Sequence, residues 1–193
     1  LHRALDTIVA QKISSLFVKP ARPDAPFGII TERDILRAIS ADPTMALQQT
    51  VQSIVLSHSH MDHIAALPFF VENVFGRLND AVDVHASPAA IYALRKHLFN
   101  NDTWPDFTRL PNHLLPAVRF HELLDERPVT VGGVRFTPVP VDHLVPTHGF
   151  LIEEGGSAVL WSRDTGRTRR LWEVADAAPN LRAICLDTSC DNG

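Results

Sequence analysis

The sequence predicts an α/β fold in which short strands and amphipathic helices alternate along a chain of 193 residues. Three observations support this prediction. Apolar runs of strand length, such as residues 54–56, are followed by segments whose apolar residues recur at helical spacing. Two Gly-Gly pairs, at 132–133 and 155–156, each separate two runs of strand-forming residues, which is the pattern of a hairpin. The length allows one domain or two small ones.

The sequence pattern of residues 1–52 predicts a small α+β unit. The predicted elements are, in order, a helix through Ile13, strands over 15–18 and 27–30, and a helix through Ile39 that Thr31 caps. Asp34 stands three residues after Thr31, in the first turn of that helix. A Pro-rich turn joins the two strands.

The sequence pattern of residues 53–193 predicts a larger unit of mixed strands and helices. Strands and hairpins are expected over 54–56, 82–85, 129–136, 149–161 and 183–186, and helices over 62–75, 88–98 and 168–177. The irregular, Pro-containing segment 100–117 is interpreted as a surface insertion. Its Trp104 and Phe107 fit a satellite core better than an apolar lid over a nucleobase.

The composition limits the class of protein. A net charge of −4 argues against a broad nucleic-acid surface, and no apolar run approaches the ~20 residues of a membrane-spanning helix. Cys185 and Cys190 are too few for a disulfide framework, so we expect reduced thiols and a cytoplasmic location. The chain begins without Met and ends directly after a predicted strand, so we expect it to be part of a longer protein.

The strongest chemical signal is a cluster of metal-binding residue types directly after the apolar strand 54–56. His58 and His60 alternate, so both imidazoles point to one side of an extended backbone, and Asp62 and His63 follow at the start of a helix. This pattern suits a pair of metal ions roughly 3.5–4 Å apart that share a water molecule. Imidazole and carboxylate ligands suit zinc, manganese or iron, so the residue types do not select the metal.

The string from Ser57 to Pro68 resembles the metallo-β-lactamase superfamily, and within it the class II cyclic-nucleotide phosphodiesterases. Later segments resemble further motifs of that superfamily: Val141-Asp142-His143, Ser162-Arg163-Asp164-Thr165-Gly166 and Leu186-Asp187-Thr188-Ser189. The resemblance covers residues 53–193. It implies an αββα core, incomplete because a later His ligand of the family is not present.

The resemblance also implies a ligand set. His58, His60 and His143 would hold one divalent ion, Asp62 and His63 a second, and Asp164 would bridge the two. Zinc is the first choice of metal, with manganese or iron as alternatives. Asp62 would orient the hydroxide that attacks phosphorus. His148 is a weaker alternative to His143, and Arg163 replaces a small Gly of the family motif, where it would crowd the site or contact a phosphate.

Part of the first unit resembles a single cystathionine-β-synthase (CBS) motif, through residues 13–18 and the string Gly28-Ile29-Ile30-Thr31-Glu32-Arg33-Asp34. The resemblance implies that Thr31 and Asp34 contact an adenosyl nucleotide, and that a homodimer supplies the paired motif. The alternative, that both residues only cap a helix, stays open.

These observations predict a metal-dependent phosphodiester hydrolase that acts on a small-molecule nucleotide, with a 3′,5′-cyclic nucleotide as first choice and an adenosyl nucleotide as regulator. Two alternatives remain. One is another hydrolase of the same fold: a nuclease of the tRNA 3′-processing type, a thioesterase or a lactonase. The other is a nucleotide-sensing protein on a metal fold that has lost catalysis.

Overall fold

The computed structural model describes residues 53–75, 80–112 and 114–187, together with the backbone of two short strands, Ser15–Val18 and Gly28–Thr31. The chain divides into two compact units, Leu1–Val51 and Gln52–Gly193. In the first unit, β1 (Ser15–Val18) and β2 (Gly28–Thr31) pair in antiparallel register, so both strands predicted there are present. Thr31 ends β2, and Asp34 and both helices predicted in this unit, through Ile13 and through Ile39, lie outside the described residues.

One sheet of the second unit has three parallel strands in the order β3-β4-β7. These are β3 (Ser53–Val55), β4 (Val82–Ala86) and β7 (Val118–Glu122). The helix after β4, α3 (Pro88–His97), begins as predicted: the Ser87 hydroxyl accepts a hydrogen bond from the amide of Ala90, and Pro88 stands in the first turn. The apolar core between this sheet and its helices includes Val71, Val84 and Leu94, all inaccessible to solvent.

The predicted helix over 62–75 is two helices, α1 (Met61–Ile64) and α2 (Ala66–Val74), separated at Ala65. The prediction of one continuous helix is therefore wrong. Pro68 explains the break, because it has no N–H to donate to the carbonyl of Ile64, four residues earlier. The short α1 consists largely of the second half of the histidine-rich motif.

The second sheet has five strands in the order β12-β11-β10-β9-β8, antiparallel except for the parallel pair of β11 and β12. Its strands are β8 (Val129–Val131), β9 (Val134–Val141), β10 (Thr147–Glu154), β11 (Ser157–Trp161) and β12 (Leu181–Cys185). Both predicted hairpins are confirmed, and β9 extends beyond its prediction to Val141, directly before the Asp142-His143 motif. Helix α4 (Arg170–Ala177) packs on this sheet through the buried Leu171, beside Val139 and Leu160.

The segment 100–117 is not a purely superficial insertion. Phe107 is 4% exposed within the core of the three-stranded sheet, and Trp104 packs against that same core rather than a separate one. A short antiparallel pair, β5 (Pro111–Asn112) and β6 (Leu115–Pro116), also lies in this segment. Within the described part of the chain, no helix combines the length and apolar character that crossing a bilayer requires.

Candidate metal centre

The candidate metal centre forms where three strands end. His58 and His60 follow β3, His143 follows β9 by two residues, and Asp164 follows β11 by three. The segments are tied together by backbone hydrogen bonds: the amide of His148 donates to the carbonyl of Ser57 over 3.1 Å, and the amide of Gly166 donates to that of Asp142 over 2.6 Å. Residues far apart in sequence are thereby held at one place.

Three imidazole nitrogens converge at the centre. His60 Nδ1 lies 3.1 Å from His58 Nε2 and 3.0 Å from His143 Nε2. An imidazole nitrogen has one in-plane position, which carries either a proton or a lone pair, so His60 Nδ1 cannot form a good hydrogen bond with both neighbours at once. Three nitrogens around tetrahedral zinc, at ~2.0–2.1 Å from the ion, would be about 3.3 Å apart. The donor set of His58, His60 and His143 therefore fits a metal ion.

A second group of donors adjoins the first. Asp164 Oδ2 lies 3.1 Å from His63 Nε2, 3.8 Å from His58 Nε2 and 3.9 Å from His143 Nε2. The ligand atoms of His58, His63 and Asp164 all lie within 4.8 Å of one another. Asp164 thus has one oxygen close to both groups, which is where a bridging ligand is needed.

Asp62 lies at the solvent side of this second group. Its side chain is 74% exposed, and its Oδ2 is 3.2 Å from His63 Nε2. The structure thus brings all six residues that the sequence suggested as ligands into one cluster. Their roles as ligands stay a prediction.

Burial keeps the imidazole of His58 neutral. Its side chain is fully enclosed, and desolvation, followed by the charges of His63, His143 and His60, lowers its pKa from 6.5 to about 3. The ring is therefore neutral at physiological pH and has a lone pair to offer.

Sequence reasoning did not identify Ser57 as a functional residue. Its Oγ is 3.0 Å from His58 Nδ1, and both side chains are buried. When His58 Nε2 offers its lone pair, Nδ1 carries the proton and donates it to Ser57 Oγ. This second contact fixes the tautomer of a ligating His, a role no pattern in the sequence distinguishes from an ordinary Ser.

His148, the weaker alternative to His143, points elsewhere. Its ring is 5% exposed, and Nε2 is 2.7 Å from Asp125 Oδ1 rather than near the cluster. His85, the penultimate residue of β4, stacks on His121 with ring centroids 4.7 Å apart. Neither residue belongs to the two groups of donors found among the described residues.

Arg163 contacts the centre directly. Its backbone has a φ of +56°, a conformation that glycine adopts at little cost and arginine rarely adopts. The guanidinium is nearly buried, lies 4.3 Å from the centroid of the Trp161 ring, and donates from Nη2 to His63 Nδ1 over 3.2 Å. Burial lowers the pKa of Arg163, and the carboxylates of Asp164 and Asp187 oppose that shift. The expected crowding at this position is thus a specific contact with a predicted ligand.

Comparison with known proteins identifies the family. A family model described as "Beta-lactamase superfamily domain" matches residues 24–191, which is well over half of the chain. The chain belongs to the beta-lactamase superfamily. The fold agrees: the crystal structure of unliganded yeast PDE1 superposes with a TM-score of 0.63 at 17% identity, covering 93% of this chain and 55% of that one. The predicted metallo-β-lactamase-like α/β fold is therefore confirmed.

Further relatives differ in what their names describe. An "Endoribonuclease YSH1" of Mycosarcoma maydis is 30% identical over 152 residues, which are 72% of this chain and 17% of that protein. A "Probable 3′,5′-cyclic-nucleotide phosphodiesterase" of Yersinia pestis is 29% identical over 129 residues, 62% of this chain and 34% of that protein. Zn²⁺-bound PqqB from Methylobacterium extorquens has a TM-score of 0.55 at 16% identity, covering 90% of this chain and 59% of that one. The chain spans only part of these proteins.

These matches do not support the CBS-like interpretation of residues 1–52. The superfamily match begins at residue 24 and so includes β2, which had supplied the Gly-Ile-Ile-Thr string of that resemblance. The side chain of Thr31, like all of Asp34, is outside the described part of the structure, so their contact with an adenosyl nucleotide stays a prediction.

Proposed function

We propose that this chain carries the centre of a metal-dependent phosphodiester hydrolase, with a 3′,5′-cyclic nucleotide as the first choice of substrate. The observation that carries the proposal is that His58 Nε2 and His143 Nε2 both lie within 3.1 Å of His60 Nδ1, next to the carboxylate of Asp164. Two relatives named for cleaving phosphodiesters, one an endoribonuclease and one a cyclic-nucleotide phosphodiesterase, support this class of substrate.

The proposed roles follow from position. His58, His60 and His143 would hold one ion, and His63, Asp62 and Asp164 would offer ligands to a second, zinc being the first choice and manganese or iron alternatives. When bound, such ions supply positive charge that activates water and offsets charge on phosphoryl oxygens. Asp62, exposed at the edge of the cluster, would accept a hydrogen bond from the attacking water and orient it towards phosphorus. Ser57 would hold the ring of His58 in position.

A pocket lined by residues that precede and follow Asp164 in the sequence matches a nucleotide in its chemistry. Its volume is about 600 Å³, and it is lined on either side of Asp164 by Ser162 and Thr165. The lining also includes the exposed Arg167 and the ring of Trp172, which is 45% exposed. A guanidinium matches a phosphate and an exposed indole matches a base, so one small nucleotide is a chemically suitable occupant.

A second candidate is an endoribonuclease, and the relative from Mycosarcoma maydis favours it. The net charge of −4 favours the small nucleotide, because a polynucleotide is usually held by a basic surface. Two alternatives are kept: a hydrolase of thioesters or lactones, and a nucleotide-sensing protein without catalysis. The four substrates of the test below separate them. We propose further that an adenosyl nucleotide regulates the protein, that it forms a homodimer and that it acts in the cytoplasm.

The test is hydrolysis of cyclic AMP, a single-stranded RNA, a thioester and a lactone by zinc- and manganese-loaded protein. The proposal predicts turnover of cyclic AMP that His60→Ala abolishes and that His97→Ala, an exposed position outside the cluster, leaves intact. Cleavage of RNA alone would favour the endoribonuclease. Turnover of the thioester or lactone only, or of none of the four, would contradict phosphodiester hydrolysis.

A further inference from the structure

We propose that Arg163 competes with the second metal ion for His63, so that this chain binds one ion tightly and a second only weakly. The inference rests on the proposed function, because it presupposes that the cluster binds metal. The two ring nitrogens of His63 have different partners. Nε2 faces the carboxylates of Asp164 and Asp62, at 3.1 and 3.2 Å, and Nδ1 faces Arg163 Nη2 at 3.2 Å.

The contact with Arg163 determines the tautomer of His63. A guanidinium has N–H donors and no acceptor, so His63 Nδ1 must present its lone pair to Arg163. The proton of the neutral ring then resides on Nε2, which donates it to Asp164 Oδ2. In this arrangement both ring nitrogens are satisfied without a metal.

An ion at the second position requires the opposite tautomer. Nε2 is the nitrogen that points into the cluster, so it must give its lone pair to the ion, and the proton of the neutral ring must move to Nδ1. There it meets the N–H donors of Arg163 instead of the acceptor that a ligating His ordinarily has. The positive charge of the guanidinium, close to the same ring, adds repulsion against a dication.

Arg163 is held in this position by its surroundings. The side chain packs over the ring of Trp161, at 4.3 Å from Cζ to the ring centroid. On the backbone side, Ser162 Oγ donates to the carbonyl of Arg163 over 2.9 Å and accepts from the amide of Asp187, also over 2.9 Å. Among the described residues the guanidinium donates no hydrogen bond to His58, His60 or His143, so it competes for no ring nitrogen of the first group. Its positive charge does reach His58, whose pKa it lowers less than burial and the other three imidazoles do.

The test compares the stepwise affinities for zinc of the wild-type chain, Arg163→Met and Arg163→Lys, by competition with a chromophoric chelator. Met keeps the length and the packing against Trp161 without N–H donors, and Lys keeps donors and charge. We expect Arg163→Met to tighten the second ion by at least ~10-fold, the lower end of the effect of an outer-shell partner, with a much smaller change for the first. Arg163→Lys should stay weak at the second position.

Nitrogen NMR of the metal-free wild-type protein provides a readout that needs no variant: His63 should carry its proton on Nε2. A proton on Nδ1, two ions of equal affinity in the wild type, or no tightening in Arg163→Met would each overturn the competition. A protein that binds one ion but shows no response to Arg163→Met refutes this inference alone. A protein that binds no zinc refutes the proposed function as well.

Discussion

Gly149 is the position where a single methyl group tests the packing behind the metal centre. It is buried in β10, and a Cβ added there would lie 2.8 Å from the carbonyl oxygen of Trp161, 2.9 Å from Leu171 Cδ1 and 3.0 Å from the carbonyl oxygen of Ser162. Two of these atoms are backbone, so a rotamer change cannot relieve the overlap. Gly149→Ala must therefore push β11 away from β10 at the end that leads to Asp164.

The size of the effect follows from the overlap. Inserting a methyl group into a well-packed interior costs roughly 1–3 kcal/mol. At about 2–4 °C per kcal/mol for a protein of 150–250 residues, the Tm should fall by roughly 2–12 °C. Zinc affinity should fall too, because the displaced carbonyls of Trp161 and Ser162 lie directly before the Arg163-Asp164 pair.

Thermal unfolding measured by circular dichroism, with and without zinc, provides the assay. Gly166→Ala is the matched control: it lies two residues beyond Asp164, yet its added Cβ meets nothing closer than Asp142 Oδ2 at 3.4 Å, which is ordinary contact. We expect the control to change the free energy of unfolding by less than about 1 kcal/mol. If Gly149→Ala melts within a degree of the wild type, β10 and β11 are not packed as closely as these distances state.

Three further predictions concern other parts of the second unit. Ser57→Ala removes the partner of His58 Nδ1 and should weaken zinc binding roughly 10- to 100-fold, measured by chelator competition; unchanged affinity would show that Ser57 does not orient the ring. Leu94→Ala leaves a cavity at a side chain with no solvent exposure and should lower the free energy of unfolding in urea by about 2–5 kcal/mol, whereas a loss under about 1 kcal/mol would argue against this core. Partial burial raises the pKa of Asp83, but the hydrogen bonds from His121 and Arg119 together outweigh it, so the folded pKa lies below the ordinary 3.8. Between the folded pKa and 3.8 this site binds more protons in the unfolded chain, so the stabilisation by Asp83 is present at neutral pH and is lost as the pH falls through and below 3.8. Asp83→Asn should therefore reduce the dependence of the free energy of unfolding on pH in this acidic range, and an unchanged slope would contradict the pairing.

The sequence was informative where chemistry and local pattern coincide. His58, His60, Asp62 and His63 could be recognised because they stand within six residues after an apolar strand, and the structure gathers them into one cluster, Asp62 through its contact with His63. His143 could be preferred over His148 because it follows a strand end, and the structure brings His143 to the cluster and pairs His148 with Asp125.

Other features depend on long-range geometry that no local pattern reports. The break between α1 and α2 follows from Pro68, but the same residue is tolerated within α2, so its presence alone did not locate the break. The burial of Phe107 requires a folded partner surface. The contact of Arg163 with His63 joins residues 100 positions apart, and it depends on a positive φ at Arg163.

The most direct test of the proposed metal site is the metal content of the chain, measured by inductively coupled plasma mass spectrometry after purification without chelator and dialysis against metal-free buffer. The wild-type protein should retain at least one divalent ion per chain, His60→Ala should retain none, and His97→Ala should match the wild type. A wild-type protein without metal, or equal metal in His60→Ala and the wild type, would contradict the claim that His58, His60 and His143 form a metal site.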